Sequence, residues 1–137
     1  MIERFYNKTY LKKLKEYLNS RDIIFKEKKD YFTGVGRSSS NTTEKIKYRI
    51  FTINVPSLGV TINCSREDLV EVIILNKVIF LDINPITGSM VLSPLSRDVD
   101  LPANSRVDLS SLDEETINFI EDIRRIKLNA FDFILKC

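Results

Sequence analysis

Short apolar stretches recur between residues 46 and 92, and turn signals separate them. Residues 60–64, 69–75 and 78–83 are three of these stretches, and each has the length of a short strand. A parallel crossover needs about a dozen residues, and the segments between these strands are shorter than that. The strands can therefore pair only antiparallel, and the simplest topology is a meander of about four to five strands.

The turn at residues 84–88 is the clearest of these signals. Asn84 suits the first position of a β-turn, Pro85 presets the backbone dihedral of the second, and Gly88 accepts a positive φ at the exit. Residues 90–92 continue as a strand on the far side. For this motif a hairpin turn is the best interpretation.

The stretch from residue 46 to residue 55 changes its pattern halfway. Apolar side chains occupy the even positions from Ile46 to Ile50 and the odd positions from Phe51 to Val55. Such a shift predicts either a bulge or a strand that becomes buried on both faces.

The chain before residue 46 predicts three different elements. Residues 7–19 show apolar spacings of three and four, which predict an amphipathic helix. Residues 23–32 place apolar side chains around a charged centre, which favours an edge strand. Residues 34–43 lack apolar periodicity and hold two of the four glycines, so they predict a flexible loop.

A second helix is predicted near the end of the sequence. Ser111 and Glu114 have the spacing of a capping box, and Asp113 and Glu115 complement the positive end of a helix dipole. The apolar side chains from residue 117 to residue 135 cover more of the helix than packing against a sheet requires. With no glycine or proline to stop this helix before Cys137, we expect residues 1–137 to be a single module of a longer chain.

Composition argues against several functions. The chain has 137 residues, no histidine and two cysteines, so the commonest general base and a four-ligand zinc site are both missing. Cys64 ends an apolar strand and is expected to be a small buried hydrophobe. No apolar segment approaches the roughly 20 residues of a membrane span. We therefore expect no catalysis, no cofactor, no small-molecule substrate and no membrane association.

Charge is divided unevenly along the chain. Residues 1–50 hold 13 Lys and Arg against 6 Asp and Glu, a balance of +7, and the remaining residues hold 8 against 13, a balance of −5. All five tyrosines lie in the basic part. This pattern permits nucleic-acid binding through phosphate neutralisation and base stacking, but it is also typical of a solvated helix face bordered by tyrosines. We expect the second case.

The order of elements resembles that of an RWD-type module, an α+β fold used for protein–protein contact. Within that class, residues 78–92 look like a signature of the Mediator subunit 14 family, in which a strand, an Asp/Asn-Pro-x-Thr-Gly turn and a second strand follow one another. Residues 10–18 are similar to the family's amphipathic helix, residues 52–58 to an apolar strand, and residues 117–135 to its closing helix.

The resemblance implies a nuclear scaffold that bridges subunits of the transcriptional Mediator complex, between activators and RNA polymerase II. Its partners would be other protein subunits, and nucleic acid is not expected among them. The candidate contact residues lie on the predicted closing helix and are Ile126, Leu128, Phe131 and Ile134. The alternatives are that these four belong to the core, and that the chain is a kinetochore RWD module of the same architecture.

Overall fold

A computed structural model describes residues 2–4, 6–37, 43–66, 69–75, 79–92 and 112–128. Within them, two helices and seven strands form an α+β structure. In chain order they are β1 (Ile2–Arg4), α1 (Lys8–Ser20), β2 (Lys26–Arg37), β3 (Thr43–Val55), β4 (Val60–Arg66), β5 (Leu69–Ile74), β6 (Ile79–Ile83), β7 (Met90–Leu92) and α2 (Glu114–Arg125). The α+β class is confirmed, and the sheet has more strands than the four to five predicted.

The sheet is an antiparallel meander with one added parallel strand. Strands β3 to β7 pair in chain order, and β2 pairs along its whole length with β3. β1 lies parallel to β3, with Ile2 opposite Ile46. A strand of three residues carries no readable period, so β1 could not be predicted.

One face of the sheet forms the core. Ile53, Ile62, Val72 and Leu81 lie opposite one another across β3 to β6, and all four are fully buried. Side chains directly opposite each other in antiparallel strands share a face, so this row marks the face that the helices cover. The switch of apolar parity in β3 therefore places Ile46 and Phe51 on opposite faces. The register with β2 shows no bulge.

Both helices lie on this face and contact each other. Leu14 and Leu18 of α1, with Ile120 and Ile123 of α2, are fully buried in the same core. Each helix thus buries a stripe of side chains three or four residues apart, as its sequence predicts. The prediction that the C-terminal helix packs on the sheet is confirmed.

The structure confirms α1 almost to the residue. Asn7 is its N-cap, and the Asn7 side chain accepts a hydrogen bond from the amide of Tyr10 at 3.0 Å. At the other end Asp22 has φ +55°, and the amide of Ile23 donates to the carbonyl of Leu18 at 3.0 Å. This is the Schellman arrangement, in which a left-handed residue ends the helix.

The second helix is shorter than predicted. It begins at Glu114 with Asp113 as N-cap, and Ser111 lies outside the described residues. It ends at Arg125, because Ile126 has an extended backbone and the amide of Leu128 donates to the carbonyl of Pro85 at 2.7 Å. The predicted continuation is therefore wrong for residues 126–128, where docking against the turn at residues 84–88 replaces a further helical turn.

The predicted loop at residues 34–43 is wrong for both of its ends. Residues 34–37 belong to β2 and Thr43 begins β3, while residues 38–42 lie outside the described part. Backbone pairing with β3 extends β2 without apolar periodicity. Gly34 also has a packing role, because a Cβ atom there would lie 2.9 Å from Cε2 of Tyr48.

Candidate interaction surface

Of the four contact residues predicted from sequence, the two that the structure describes lie in the core or against it. Leu128 is 3% exposed and belongs to the core, and Ile126 is partly buried against the same core. Phe131 and Ile134 lie outside the described residues. Leu128 thus fits the alternative that the predicted contact residues belong to the core, because the segment after α2 turns its apolar side chain inward instead of continuing a helix.

Two of the five tyrosines join the helices. The hydroxyl of Tyr10 is buried and donates to the carbonyl of Ile123 at 3.4 Å, and the hydroxyl of Tyr17 donates to Oδ2 of Asp122 at 2.8 Å. Burial raises the pKa of Tyr10. Burial and the bond to Asp122 raise the pKa of Tyr17 to about 12. Both hydroxyls thus stay protonated at neutral pH and act as structural donors.

Two further tyrosines are also engaged within the molecule. The ring of Tyr6 packs against Phe51 with centroids 5.6 Å apart, and Tyr48 lies across the backbone of Gly34. Tyr31 is the remaining one and is 53% exposed. A platform on which successive bases stack needs several free rings. Because four of the five tyrosines make contacts within the molecule, the interpretation as a nucleic-acid-binding surface is weakened.

Strands β2 and β3 pair with each other at one side of the sheet, where β1 also pairs with β3 at residues 46–48, and we call residues 26–37 and 43–50 the basic ribbon. Large exposed apolar side chains are concentrated on it or beside it. Ile24 is 81% exposed, Tyr31 53% and Val35 69%, and Leu75 and Val91 complete the set among the described residues. Three of five thus lie within twelve residues of one another.

The helix-side face of the basic ribbon is positively charged. The register pairs Tyr31 with Arg49, Thr33 with Lys47 and Val35 with Lys45, so these side chains share the odd-numbered face with Lys29. The Lys47 ammonium lies 4.1 Å from the centroid of the Tyr31 ring, within cation–π range. Beyond Glu27, which pairs with Lys15 at 2.7 Å, this face carries no acidic side chain among the described residues.

A shallow cleft joins the basic ribbon to the first turn of α1. It encloses about 290 Å³ and is lined by Tyr6, Lys8, Lys29, Asp30, Tyr31, Arg49 and Ile50. Three of these residues are cationic, two are aromatic and one is acidic. The cleft thus extends the cationic surface of the ribbon to the N-terminus of α1, whose dipole adds positive potential.

Cys64 is the small buried hydrophobe that its sequence position predicts. It is 2% exposed and belongs to the core, opposite Phe51 and Val70. Burial raises the pKa of its thiol to about 12. Because the thiolate is the reactive form, this cysteine is unsuited to nucleophilic attack at neutral pH.

We expect the Cys64 thiol to resist alkylation. With Cys137→Ser as background, iodoacetamide should modify native protein at least about 100-fold more slowly than protein in denaturant, since reaction requires both opening and deprotonation. Mass spectrometry of timed samples measures the rate. Equal rates in native buffer and in denaturant would contradict the buried position.

The acidic side chains at the start of α2 stabilise the helix. Asp113, Glu114 and Glu115 are exposed, and Oδ1 of Asp113 accepts a hydrogen bond from the Thr116 hydroxyl at 2.7 Å. Their position suits the positive end of the helix dipole. Among the described residues no three His, Cys, Asp or Glu side chains are grouped so that they could hold a metal ion. No helix in the same part of the chain has the length and apolarity needed to cross a membrane.

Comparisons with family models, with curated proteins and with solved structures found no match to the chain.

The basic ribbon is the surface that sequence reasoning missed. Its signal was present in the lysines and Arg49 that alternate along residues 45–49, and in Tyr31 and Val35, which share a parity. Only the register of β2 with β3 shows that these side chains lie on one face. The ribbon can attract an acidic partner and offer apolar contacts beside the charges.

Proposed function

We propose that this chain is a non-catalytic protein-interaction module of a nuclear scaffold, of the RWD-like type found in the Mediator subunit 14 family. Its partners would be other subunits of the complex that links activators to RNA polymerase II. The observation that carries the proposal is the pair of exposed apolar side chains, Tyr31 and Val35, on the cationic face of the basic ribbon.

The packing of the helices supports this choice of surface. Both helices turn their apolar stripes to the sheet, and α2 buries Phe119, Ile120 and Ile123 there. In the described residues, apolar surface for a partner is thus found mainly at the ribbon. Tyr and Arg are enriched in protein interfaces, and here Arg49 lies 5.6 Å from the centroid of the Tyr31 ring.

The turn at residues 84–88, which carries the family resemblance, has a structural role here. The amide of Gly88 donates to the carbonyl of Asn84 at 2.8 Å, and Oδ1 of Asn84 accepts from the amide of Ile86 at 2.8 Å. The same turn receives the chain after α2 through Pro85. The motif thus links the β6–β7 hairpin to the segment that follows α2. This role supports the proposal that the chain is one module of a scaffold built from similar modules.

Affinity capture tests the proposal. We expect the tagged chain, incubated with nuclear extract of its source after nuclease treatment, to recover Mediator subunits as the proteins most enriched over tag alone by mass spectrometry. Recovery of kinetochore proteins would instead assign the chain to the other RWD class. Recovery that depends on intact nucleic acid would reject direct protein contact.

A further inference from the structure

We infer that the outer edge of β2 is a docking site for an acidic, extended segment of a partner protein, which pairs with β2 as an additional strand. The inference rests on the proposed function and names the chemistry of the partner. Two observations support it. One is the outer backbone edge of β2, with which no described strand pairs, and the other is the positive charge on the neighbouring face.

The outer edge of β2 is long, and no described residue pairs with it. β2 has twelve residues and pairs with β3 alone in the described part of the chain, whereas β7 at the far side of the sheet has three residues. A strand paired on one side presents a row of amides and carbonyls to solvent on the other. A partner segment in extended form can satisfy that row.

The direction of the free amides can be read from one hydrogen bond. The amide of Tyr31 donates to Oδ1 of Asp30 at 2.8 Å, so it is directed to the side chain of its own neighbour and away from β3. Amides two residues apart in a strand point to the same side, so those of Lys29 and Thr33 also point outward. The Asp30 carboxylate occupies the place that a carbonyl of an added strand would take.

The positive charge of the neighbouring face favours a partner segment that is acidic. Lys29, Lys45, Lys47 and Arg49 lie on the helix-side face of the basic ribbon, and of these Lys29 and Lys45 are exposed. Side chains of an added strand alternate between the two faces of the sheet. Glutamates at every second position would thus lie along this cationic face, which Tyr31 and Val35 share.

A second copy of the chain fits this edge poorly. Pairing β2 with β2 would bring two lysine-rich strands together, and like charges on neighbouring strands are destabilising. Lysines on an edge strand are a known guard against self-pairing. Single-stranded nucleic acid is also less suited, because stacking of successive bases needs several free rings and Tyr31 is the one largely exposed tyrosine among the described residues.

The test uses the 137-residue chain and a fluorescein-labelled peptide of about twelve residues in which glutamate and valine alternate. At about 150 mM salt, we expect this peptide to bind at least about tenfold more tightly than the same peptide with lysine in place of glutamate, and more tightly than a dT oligonucleotide of equal length. Fluorescence anisotropy measures all three affinities. Equal affinity for the two peptides, or tighter binding of the oligonucleotide, overturns the inference.

Hydrogen exchange distinguishes strand pairing from charge attraction alone. With saturating Glu-Val peptide, the amides of Lys29, Tyr31 and Thr33 should exchange at least about tenfold more slowly by NMR, and those of Lys28 and Asp30, which point to β3, should change little. Unchanged exchange at the first three positions overturns strand addition. Slow exchange there in the free chain together with dimer formation would show that a second copy occupies the edge, which also overturns it.

Charge variants complete the test. Asp30→Ala should tighten peptide binding about threefold, because it frees the Tyr31 amide and removes a negative charge. Lys29→Glu combined with Lys45→Glu should weaken it at least about tenfold, whereas Arg125→Glu on α2 should leave it unchanged. A loss with Asp30→Ala equal to that of the lysine variant would contradict the edge geometry.

Failure of this inference can be told from failure of the proposed function. The peptide measurements need no extract, so recovery of Mediator subunits together with unprotected β2 amides would refute the docking edge alone. Protected amides together with recovery of unrelated proteins would refute the scaffold assignment alone.

Discussion

Replacing Gly88 by alanine is expected to lower the free energy of unfolding by about 3 kcal/mol. Gly88 has φ +74°, a left-handed conformation that costs an L-residue energy. A Cβ atom there would also lie 2.8 Å from the carbonyl oxygen of Arg124 and 2.8 Å from Cε of Lys127. The substitution therefore strains the turn and pushes it away from the end of α2. Urea unfolding followed by circular dichroism measures the change.

The matched control for Gly88→Ala is Ser57→Ala, a change at an exposed position in the turn between β3 and β4. We expect that substitution to alter the free energy of unfolding by less than about 0.5 kcal/mol. If Gly88→Ala were as mild as Ser57→Ala, the docking of the turn at residues 84–88 against the segment after α2 would be wrong.

The second large effect is expected for Ile120→Ala, with a loss of about 3–4 kcal/mol in the free energy of unfolding. Ile120 is fully buried between α2 and the sheet. Truncation removes three buried carbons and leaves a cavity that helix and sheet can close only in part. Urea unfolding under the same conditions gives the difference between variant and wild type.

Asn118→Ala is the control for the second prediction, because Asn118 lies on the exposed side of the same helix. It should leave stability unchanged within about 0.5 kcal/mol or increase it slightly through the helix propensity of alanine. Similar effects at both positions would mean that α2 does not present the face containing Ile120 to the sheet.

The sequence predicts those parts of the fold whose side chains repeat with a clear period. The spacing of Tyr10, Leu14 and Leu18 locates α1, and short apolar runs locate β4 to β7, because burial on one face imposes that spacing. The prediction of a loop at residues 34–43 is wrong at both ends, which belong to β2 and β3. Val35 is the one apolar side chain in that stretch, so the sequence shows no period there, and backbone pairing with β3 continues the strand as far as Arg37.

The end of α2 shows a second limit of prediction from sequence. The apolar side chains after Arg125 keep a helical spacing, and the structure instead extends the backbone so that Leu128 reaches the core near Pro85. That contact joins residues far apart in sequence, and local pattern carries no information on it. Leu128 lies in the core for the same reason, whereas the predicted contact surface assumed a longer helix.

The measurement that tests the central claim most directly is quantitative capture from nuclear extract with two double variants. Tyr31→Ser with Val35→Ser removes exposed apolar side chains from the basic ribbon, and Leu75→Ser with Val91→Ser removes an equal number elsewhere. We predict that the ribbon variant recovers at least about tenfold less of the partner subunits than wild type, and that the control variant recovers the same amount. Undiminished recovery by the ribbon variant would contradict the proposal that this surface makes the contact.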